Sequence, residues 1–494
     1  MALNEEYIEK IVRETIEKMD PSVFSALDRG ETLNRGEAPD RVLAPFQALT
    51  RGAGAAGGWI FEDANDAVEA ARRAQQTLMD LTVEKREELI AAMRSAALQN
   101  NEYLAKLAHD ETGFGKVPHK IEKNKVAAMK TPGTEDLTTT AWTGDMGLTL
   151  VEMAPFGVIG SITPSTNPTS TVINNSISMV AAGNSVVFNP HPSAKHASQE
   201  TIRILSEAII GAGGPMGLIT TVKTPSLETG RIIMEHKDIP ILSVTGGEAV
   251  VSVAMKTGKK VIAAGPGNPP VIVDETADIA KAAKDIVDGA SLDNNVLCVA
   301  EKEVFAVDVI FDKLVSSMVR EGAFQIRGQD IERVLNTVFS KKDGKYTLNR
   351  AFVGRDATYI LDKSGVSYTG EPRLVIAEVD KLHPFIMTEM LMPVLGMART
   401  RSFDEALEAA FFAEQGNQHS ALIHSTNIHN LSRAASKMNT TIFVKNAPSY
   451  TGLGYMGQGF ATLTIATPTG EGLTSAKSFT RLRRCFLSGD FRII

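Results

Sequence analysis

Short apolar runs alternate with longer amphipathic stretches between residues 154 and 264. The runs are rich in valine and isoleucine, as in SVVF at residues 185–188, whereas SAKHASQETIRILSEAII at residues 193–210 has apolar residues at helical spacing. Strands that alternate with helices predict a parallel, doubly wound α/β sheet, in which ligands bind at the carboxyl ends of the strands. A second block with the same alternation begins near Asp278.

Helical patterns and a hairpin precede this block. Apolar residues recur at helical spacing from Asn65 to Leu81, and again from Glu84 to Gly113. A Gly144–Asp145 turn then joins the strand-like segments TTTAW and LTLVEM, which predicts a β-hairpin. The tail from Ala461 contains the strand-like segments ATLTIATP and SFTRLRRCFLS, and we expect them to pair with a neighbouring subunit.

Residues 1–20 have an amphipathic pattern of their own. One helical face carries the apolar side chains of this segment, which are Ile8, Ile11, Val12, Ile16 and Met19. Residues 21–58 are rich in glycine and proline and predict a flexible linker. Because an isolated helix is marginal in water, its apolar face needs a docking surface. A tether favours docking onto another protein, and docking onto the chain's own domain is the alternative.

Length, charge and cysteine content narrow the class of protein. A chain of 494 residues is longer than one hydrophobic core supports, so at least two domains are expected. The net charge of −7 argues against nucleic-acid binding, since a phosphate-binding surface needs clustered lysine and arginine. The chain has two cysteines, no histidine–cysteine spacing typical of a metal site, and no apolar run long enough to span a membrane. We therefore expect a cytoplasmic protein without a metal.

Cys298 is the first candidate for chemistry. It lies in the apolar segment DNNVLCVA, and a cysteine in such surroundings is more often buried and inert than reactive. Cys485 follows Arg483 and Arg484, and neighbouring cations lower the pKa of a thiol. From the residues alone, either cysteine could be a nucleophile.

Five motifs follow one another in an order that is typical of one family. They are PFGVIGSITPSTNP at 155–168, VTGGEAVV at 244–251, AAGPGNPP at 263–270, the segment around Cys298, and TEMLMPV at 388–394. This order resembles the aldehyde dehydrogenase superfamily, over nearly all of the chain after the linker. The resemblance implies that Cys298 is the nucleophile, that Asn167 supports the oxyanion, and that Glu389 holds the nicotinamide ribose.

The resemblance also implies a domain organisation and a cofactor site. The fold would combine a Rossmann-type cofactor domain, an α/β catalytic domain and a β oligomerisation arm. The implied segments are 1–20 (targeting helix), 21–58 (linker), 59–133 with 154–266 (cofactor domain), 267–460 (catalytic domain), and 134–153 with 461–494 (arm). The implied cofactor-binding residues are Thr163, Pro164, Ser165, Asn189, Pro190, His191, Thr245, Gly246, Gly247, Ala264, Gly265 and Glu389. Asn189 stands where other members carry a ribose-binding lysine, and NAD is favoured over NADP.

The chain departs from hydrolytic members at one position. These enzymes have a glutamate that activates water, and the matching residue here is Ala264, in a stretch from Val261 to Val273 without a carboxylate. General base help is typically worth about 10²- to 10⁴-fold, so a thioester on Cys298 should persist until a better nucleophile than water arrives. A thiol needs less activation than water, which indicates coenzyme A as the acceptor.

The segments FNPHPSA and PTGEGLTSAKSFTRLRRC resemble the CoA-acylating propionaldehyde and acetaldehyde dehydrogenases of bacterial microcompartments. The resemblance implies a reversible, ping-pong oxidation of a short-chain aldehyde with NAD and CoA. It also implies an encapsulation helix at residues 1–20 that binds shell or cargo proteins, a place in the microcompartment lumen of propanediol or ethanolamine utilisation, and a homodimer or homotetramer. The alternatives are an acyl-phosphate reductase and a non-catalytic shell-binding protein on the same fold.

Overall fold

The computed structural model describes residues 58–342 and 344–489. The predicted targeting helix at 1–20 and almost all of the linker lie outside these residues. The strands of the described residues are β1 (Ile60–Phe61), β2 (Thr140–Gly144), β3 (Gly147–Pro155), β4 (Val158–Thr163), β5 (Ser185–Pro190), β6 (Ile219–Val222), β7 (Ile241–Thr245), β8 (Lys260–Ala264), β9 (Pro270–Val273), β10 (Glu303–Val307), β11 (Ala323–Ile326), β12 (Phe339–Lys342), β13 (Lys345–Leu348), β14 (Leu374–Glu378), β15 (Val394–Thr400), β16 (Ser420–His424), β17 (Ile442–Lys445), β18 (Ile465–Ala466), β19 (Gly472–Leu473) and β20 (Thr480–Ser488).

The α-helices of the described residues fill the segments between these strands. They are α1 (Ala64–Met79), α2 (Val83–Gln99), α3 (Asn101–Thr112), α4 (Val117–Lys130), α5 (Pro168–Ala181), α6 (Lys195–Gly211), α7 (Leu227–Glu235), α8 (Glu248–Met255), α9 (Ile279–Ser291), α10 (Asp308–Arg320), α11 (Gln329–Val338), α12 (Ala357–Lys363), α13 (Pro384–Met387), α14 (Phe403–Ala413) and α15 (Ile428–Met438).

The first sheet is parallel and doubly wound, as predicted. Its strand order is β1-β6-β5-β4-β7-β8, and every pair in it is parallel. After the edge strand β1, the chain enters the centre of the sheet at β4, builds outward through β5 and β6, and then returns to place β7 on the other side of β4. This reversal creates a crevice between the carboxyl ends of β4 and β7, which is where ligands bind in such sheets.

Helices cover both faces of this sheet. All 14 residues of α5 are buried, because the helix lies between the sheet and the outer helices α2 and α4. A helix that is buried on all sides has small or apolar residues on every face, as in TSTVINNSISMVA, and lacks the polar face of an amphipathic helix. The central position of α5 places the residue that caps its N-terminus, Asn167, inside the molecule, where that residue is 9% exposed.

The second sheet is also parallel and follows the second α/β block. Its order is β11-β14-β15-β10-β9-β16-β17. The central strands β9 and β10 are fully buried, with α9 and α10 on one face and α14 and α15 on the other. The segment that carries Cys298 enters the central strand β10, so the core of this sheet fixes its position.

The third sheet is antiparallel and contains the predicted hairpin. Strands β2 and β3 pair across the Gly144–Gly147 turn, which confirms the hairpin. Strand β20 pairs with β3 of the same chain along its whole length, from Thr480 to Ser488, and lies at the edge of this sheet. Pairing of the tail with a neighbouring subunit stays a prediction. Of ATLTIATP, only Ile465–Ala466 forms a strand, since Asn174 on α5 accepts the Leu463 N–H at 3.0 Å in place of a sheet partner.

Candidate active site

Cys298 lies in the short segment between α9 and β10, after three residues with left-handed backbones. Asp293, Asn294 and Asn295 have φ values of 50°, 54° and 65°, which L residues adopt only when their surroundings hold them there. The Asn294 amide donates to the Gly354 carbonyl at 2.9 Å, and the Asn295 amide donates to the Glu301 carbonyl at 2.9 Å. The segment before the thiol is therefore held by side-chain hydrogen bonds.

The partly buried Cys298 thiol is protonated at neutral pH. Burial raises its pKa to about 12, and the carboxylate of Glu389 adds to the rise, while the ammonium of Lys302 opposes it. Lys302 is itself buried and donates to the carbonyls of Asn295 and Leu297, at 3.0 Å each. Its charge therefore lies next to the segment that carries Cys298.

The glycine-rich segment after β8 packs against Cys298 and Glu389. A Cβ at Gly267 would lie 3.1 Å from the Cys298 carbonyl oxygen and 2.8 Å from the His419 ring, so only glycine fits there. The Gly267 N–H donates to the Glu389 carboxylate. Burial raises the pKa of Glu389 to about 7, against the opposing effects of Lys302 and this hydrogen bond. Three of the five motifs thus meet around one sulfur atom.

Asn167 reaches the same site from the other sheet. It is the N-terminal cap of α5, and its amide oxygen accepts a hydrogen bond of 2.6 Å from Lys123 Nζ. Lys123 also forms an ion pair with Asp293, and burial lowers the pKa of Lys123 to about 8 although the charge of Asp293 opposes this. The Cys298 thiolate would raise the pKa of Lys123, which indicates that the two groups are close.

A cleft beside Cys298 has a mostly apolar wall. Its free volume is about 10 Å³, which is room for about one water molecule. Its apolar lining consists of Val126, Leu292, Leu297, Leu453 and Leu463. Tyr450 and Lys123 contribute its polar edge, and Leu297 precedes the thiol. The surface next to the segment that carries Cys298 is therefore mostly apolar.

The crevice at the carboxyl ends of β4 and β7 suits a dinucleotide. Thr163 and Thr245 end these two strands, and Thr163 Oγ1 is buried without a hydrogen-bond partner among the described residues. Gly246 and Gly247 lead into α8, and a Cβ at Gly247 would meet nothing, so the N-terminus of that helix is open to an anion. Pro164 and Ser165 continue from β4, while Ala264 and Gly265 follow at the end of β8.

The other predicted cofactor residues lie at the far end of this crevice. Asn189 and Pro190 end β5, and the Asn189 amide accepts from Thr229 Oγ1 at 2.7 Å and donates to the Ser226 carbonyl at 3.3 Å. His191 follows and accepts the Ser193 N–H at 3.2 Å. These residues are therefore on the α7 side of the sheet, whereas Thr245 and Ala264 are on the other side of β4.

The sequence profile of the aldehyde dehydrogenase family matches residues 60–459. This range includes both parallel sheets and the whole of the site described above. The chain belongs to the aldehyde dehydrogenase family.

Individual relatives cover most of this aldehyde dehydrogenase. An acetaldehyde dehydrogenase (acetylating) from Bilophila wadsworthia is 49% identical over 443 residues, which are 88% of this chain and 91% of the relative. A propionaldehyde dehydrogenase from Rhodopseudomonas palustris, solved with bound CoA and an acylated cysteine, is 44% identical with a TM-score of 0.87 and covers 89% of this chain and 100% of its own. A propionaldehyde dehydrogenase from the Clostridium phytofermentans fucose utilisation bacterial microcompartment is 49% identical with a TM-score of 0.86, covering 88% and 99% of the two chains.

Four further residues of this aldehyde dehydrogenase adjoin the site and were not predicted from its sequence. Lys123 contacts both Asp293 and Asn167, while Lys302 donates to the carbonyls of Asn295 and Leu297, just before Cys298. Burial lowers the pKa of His419 to about 4, so its ring next to Gly267 is neutral. The sequence feature that could have indicated these residues is Asp293, an acidic residue that begins the largely apolar segment DNNVLC.

Two other findings concern ions and membranes. Over residues 58–342 and 344–489, no group of three or more His, Cys, Asp or Glu side chains is arranged to hold a metal ion. None of the helices in the described part of the chain is long and apolar enough to cross a membrane.

Proposed function

We propose that this aldehyde dehydrogenase oxidises a short-chain aldehyde and transfers the acyl group to coenzyme A. The observation that carries the proposal is the composition of the segment packed against Cys298. Gly267 contacts the Cys298 carbonyl, and from Val261 to Val273 that segment has no carboxylate side chain to activate water. The site therefore favours making a thioester over hydrolysing one.

The first half of the reaction uses Cys298 and Asn167. The thiol proton passes to water, and attack of the resulting thiolate on the aldehyde carbonyl gives a tetrahedral oxyanion. A donor placed beforehand stabilises this charge as it develops. The Asn167 amide and the backbone N–H of Cys298 act as the donors. Loss of one such donor costs about 2.7–4 kcal/mol of barrier in a comparable site. NAD, when bound in the crevice beside Thr163, Thr245 and Glu389, supplies the hydride acceptor for this oxidation.

In the second half of the reaction, water and a thiol compete as nucleophiles for the thioester on Cys298. Water without a general base loses about 10²- to 10⁴-fold in rate. The CoA thiol has a pKa near 8.5, so a few per cent is already thiolate at neutral pH and attacks without help. Coenzyme A therefore receives the acyl group. The relative solved with CoA and an acylated cysteine supports this order of events.

The cleft beside Cys298 suits a short acyl chain. Its wall of leucine and valine side chains favours an alkyl group over a polar one, because burial of apolar surface contributes about 25 cal/mol per Å². The relatives named for acetaldehyde and propionaldehyde support a substrate with a short alkyl group.

The test is steady-state NADH formation from acetaldehyde or propionaldehyde, with and without CoA, in the wild type and in Cys298→Ala. We expect multiple turnovers only when CoA and Cys298 are both present, with acyl-CoA as the product. Turnover retained in Cys298→Ala would move the nucleophile elsewhere, with Cys485 as the next candidate. Sustained turnover to free acid without CoA would make the enzyme hydrolytic.

Residues 1–20 are proposed to direct the enzyme into a microcompartment. Their apolar helical face in the sequence and the microcompartment relative support this role. Deletion of residues 1–20 should leave the kinetics unchanged and abolish co-purification with shell proteins. A parallel loss of activity would instead indicate that the segment docks on the enzyme itself.

The three-stranded sheet of β2, β3 and β20 is proposed to bind a second copy of the chain. Trp142 (54% exposed), Leu482 (70%) and Phe486 (56%) place large apolar side chains on this sheet. Replacing Leu482 and Phe486 together with serine should convert a dimer or tetramer into a smaller species in sedimentation velocity. An unchanged sedimentation coefficient would place the subunit contact on another surface.

A further inference from the structure

The ammonium of Lys123 links two parts of the active site that belong to different sheets. On one side it donates to the Asn167 amide oxygen at 2.6 Å. On the other side it forms an ion pair with Asp293, which precedes the nucleophile Cys298 by five positions in the same segment. Both partners are buried, with Lys123 7% exposed and Asp293 0% exposed.

This contact determines which way the Asn167 amide points. An asparagine side chain has an acceptor oxygen and a donor nitrogen of similar shape, so its orientation follows from its partners. A lysine ammonium has three donors and no acceptor, so the atom next to Lys123 must be the amide oxygen. The Asn167 nitrogen then faces the opposite side, where its contact with Thr166 Oγ1 is a long 3.3 Å. One of its N–H groups is available for a substrate oxygen.

Asp293 keeps the ammonium in place. Burial alone would raise the pKa of Asp293, but the charges of Lys123 and Lys120 lower it to about 2, so the carboxylate stays ionised. Its other oxygen accepts the Lys116 backbone N–H at 2.7 Å. The Asp293 carboxylate lies so close to the backbone of residue 115 that only glycine fits there, since a Cβ at this position would lie 1.9 Å from Asp293 Oδ1.

We propose that Lys123 is a positioning residue for catalysis: it holds the Asn167 amide with its N–H directed at the oxyanion that forms on the Cys298 adduct. The inference rests on the proposed function, because it assigns Lys123 to the acylation half of that reaction. Lys123 acts through Asn167. Replacement of Lys123 should therefore slow acylation by no more than replacement of Asn167 does.

The experiment measures the single-turnover burst of NADH that propionaldehyde and NAD give in the absence of CoA. This burst reports acylation alone, so it is independent of whether CoA or water later removes the acyl group. We expect Lys123→Met to lower the burst rate by about 10²-fold, which is the scale of losing one oxyanion donor, with little change in aldehyde KM. Lys120→Met is the matched control, because Lys120 contacts Asp293 at 3.1 Å but not Asn167. It should lose stability and keep most of the burst.

A double-variant cycle with Asn167→Ala decides between positioning and other roles. If Lys123 acts through Asn167, the double variant Lys123→Met, Asn167→Ala should be no slower than Asn167→Ala alone, because residues that act as a unit are not additive. Two losses that multiply would overturn the proposal, and so would a Lys120→Met variant as slow as Lys123→Met. Should Lys123→Met lack a cooperative thermal transition, Lys123→Gln carries the cycle, since its amide can still donate to Asn167 and should give an intermediate rate.

The outcomes separate this inference from the proposed function. A normal burst followed by hydrolysis in the wild type would refute CoA transfer and leave the Lys123 cycle interpretable. A CoA-dependent wild type with multiplicative losses would refute the positioning role and leave CoA transfer intact.

Discussion

Alkylation of the free enzyme should separate its two cysteines by reactivity. Cys298 is partly buried beside Glu389 with its pKa raised to about 12, whereas Cys485 is exposed on β20. The perturbation is iodoacetamide added to wild-type enzyme without substrates, between about pH 6 and about pH 10. The environment of Cys298 disfavours its thiolate, so we expect slow labelling of this residue despite its proposed role as nucleophile.

The size of the effect follows from ionisation and nucleophilicity together. At pH 7 a thiol of pKa about 12 is roughly 10⁻⁵ ionised, against about 3 × 10⁻² for an ordinary thiol of pKa 8.5. A more basic thiolate is the better nucleophile, and with a Brønsted slope of about 0.4–0.5 this raises the alkylation rate by roughly 25- to 55-fold. The gain offsets part of the loss from lower ionisation. Labelling of Cys298 should therefore be on the order of 100-fold slower than that of an ordinary exposed thiol.

Peptide mass spectrometry over time gives both rates in one sample. We expect the rate at Cys298 to rise about tenfold per pH unit up to about pH 10 without a plateau, because its titration lies above this range. The pH slope is the decisive readout, since it does not depend on how accessible Cys485 is in an oligomer. A plateau below about pH 9, or neutral labelling as fast as that of a small-molecule thiol, would refute the reasoning.

Three further substitutions test the surroundings of the thiol. Glu389→Gln removes the charge that adds to the raised pKa of the thiol, so alkylation of the nucleophile should accelerate while KM for NAD rises, as measured by labelling and initial rates. Gly115→Ala should lower the melting temperature and the NADH burst more than Gly113→Ala does. Both glycines have a left-handed backbone, but a Cβ at position 115 would collide with Asp293, whereas a Cβ at position 113 would meet only the movable end of an arginine side chain. Ala264→Glu should raise formation of free acid without CoA, and unchanged acid formation would mean that this position does not face the thioester.

The alternation of apolar runs and amphipathic stretches was sufficient to predict both parallel sheets. A strand buried on both faces reads as a continuous apolar run, as PVIV of β9 and EVFAV of β10 do apart from Glu303. The division of the pattern from Glu84 to Gly113 into α2 and α3 was not predicted. Asn100 ends one helix and precedes the next while apolar residues continue at helical spacing, so periodicity alone does not show the break.

The contacts among Lys123, Asp293 and Asn167 could not be predicted from the sequence. Lysine is almost never fully buried without a partner, so the lysines of VPHKIEKNKVAAMK are expected to face solvent. The partner that permits burial is Asp293, 170 positions further along the chain. The pairing arises because α4 and the segment before Cys298 are brought together by packing of the two sheets, which no local pattern encodes.

Burial and the charge of Glu389 disfavour the resting thiolate of Cys298. A rise of the thiol pKa from 9.0 to about 12 disfavours the free thiolate by about 4 kcal/mol. The same burial makes the thiolate that does form more nucleophilic and leaves the Asn167 amide, held by Lys123, directed at an oxygen that is charged only after attack. Interactions that strengthen only in the transition state raise kcat, whereas equal stabilisation of a resting thiolate would not. A high pKa of the resting Cys298 thiol is therefore compatible with the proposed catalysis, because the site stabilises the oxyanion rather than the thiolate.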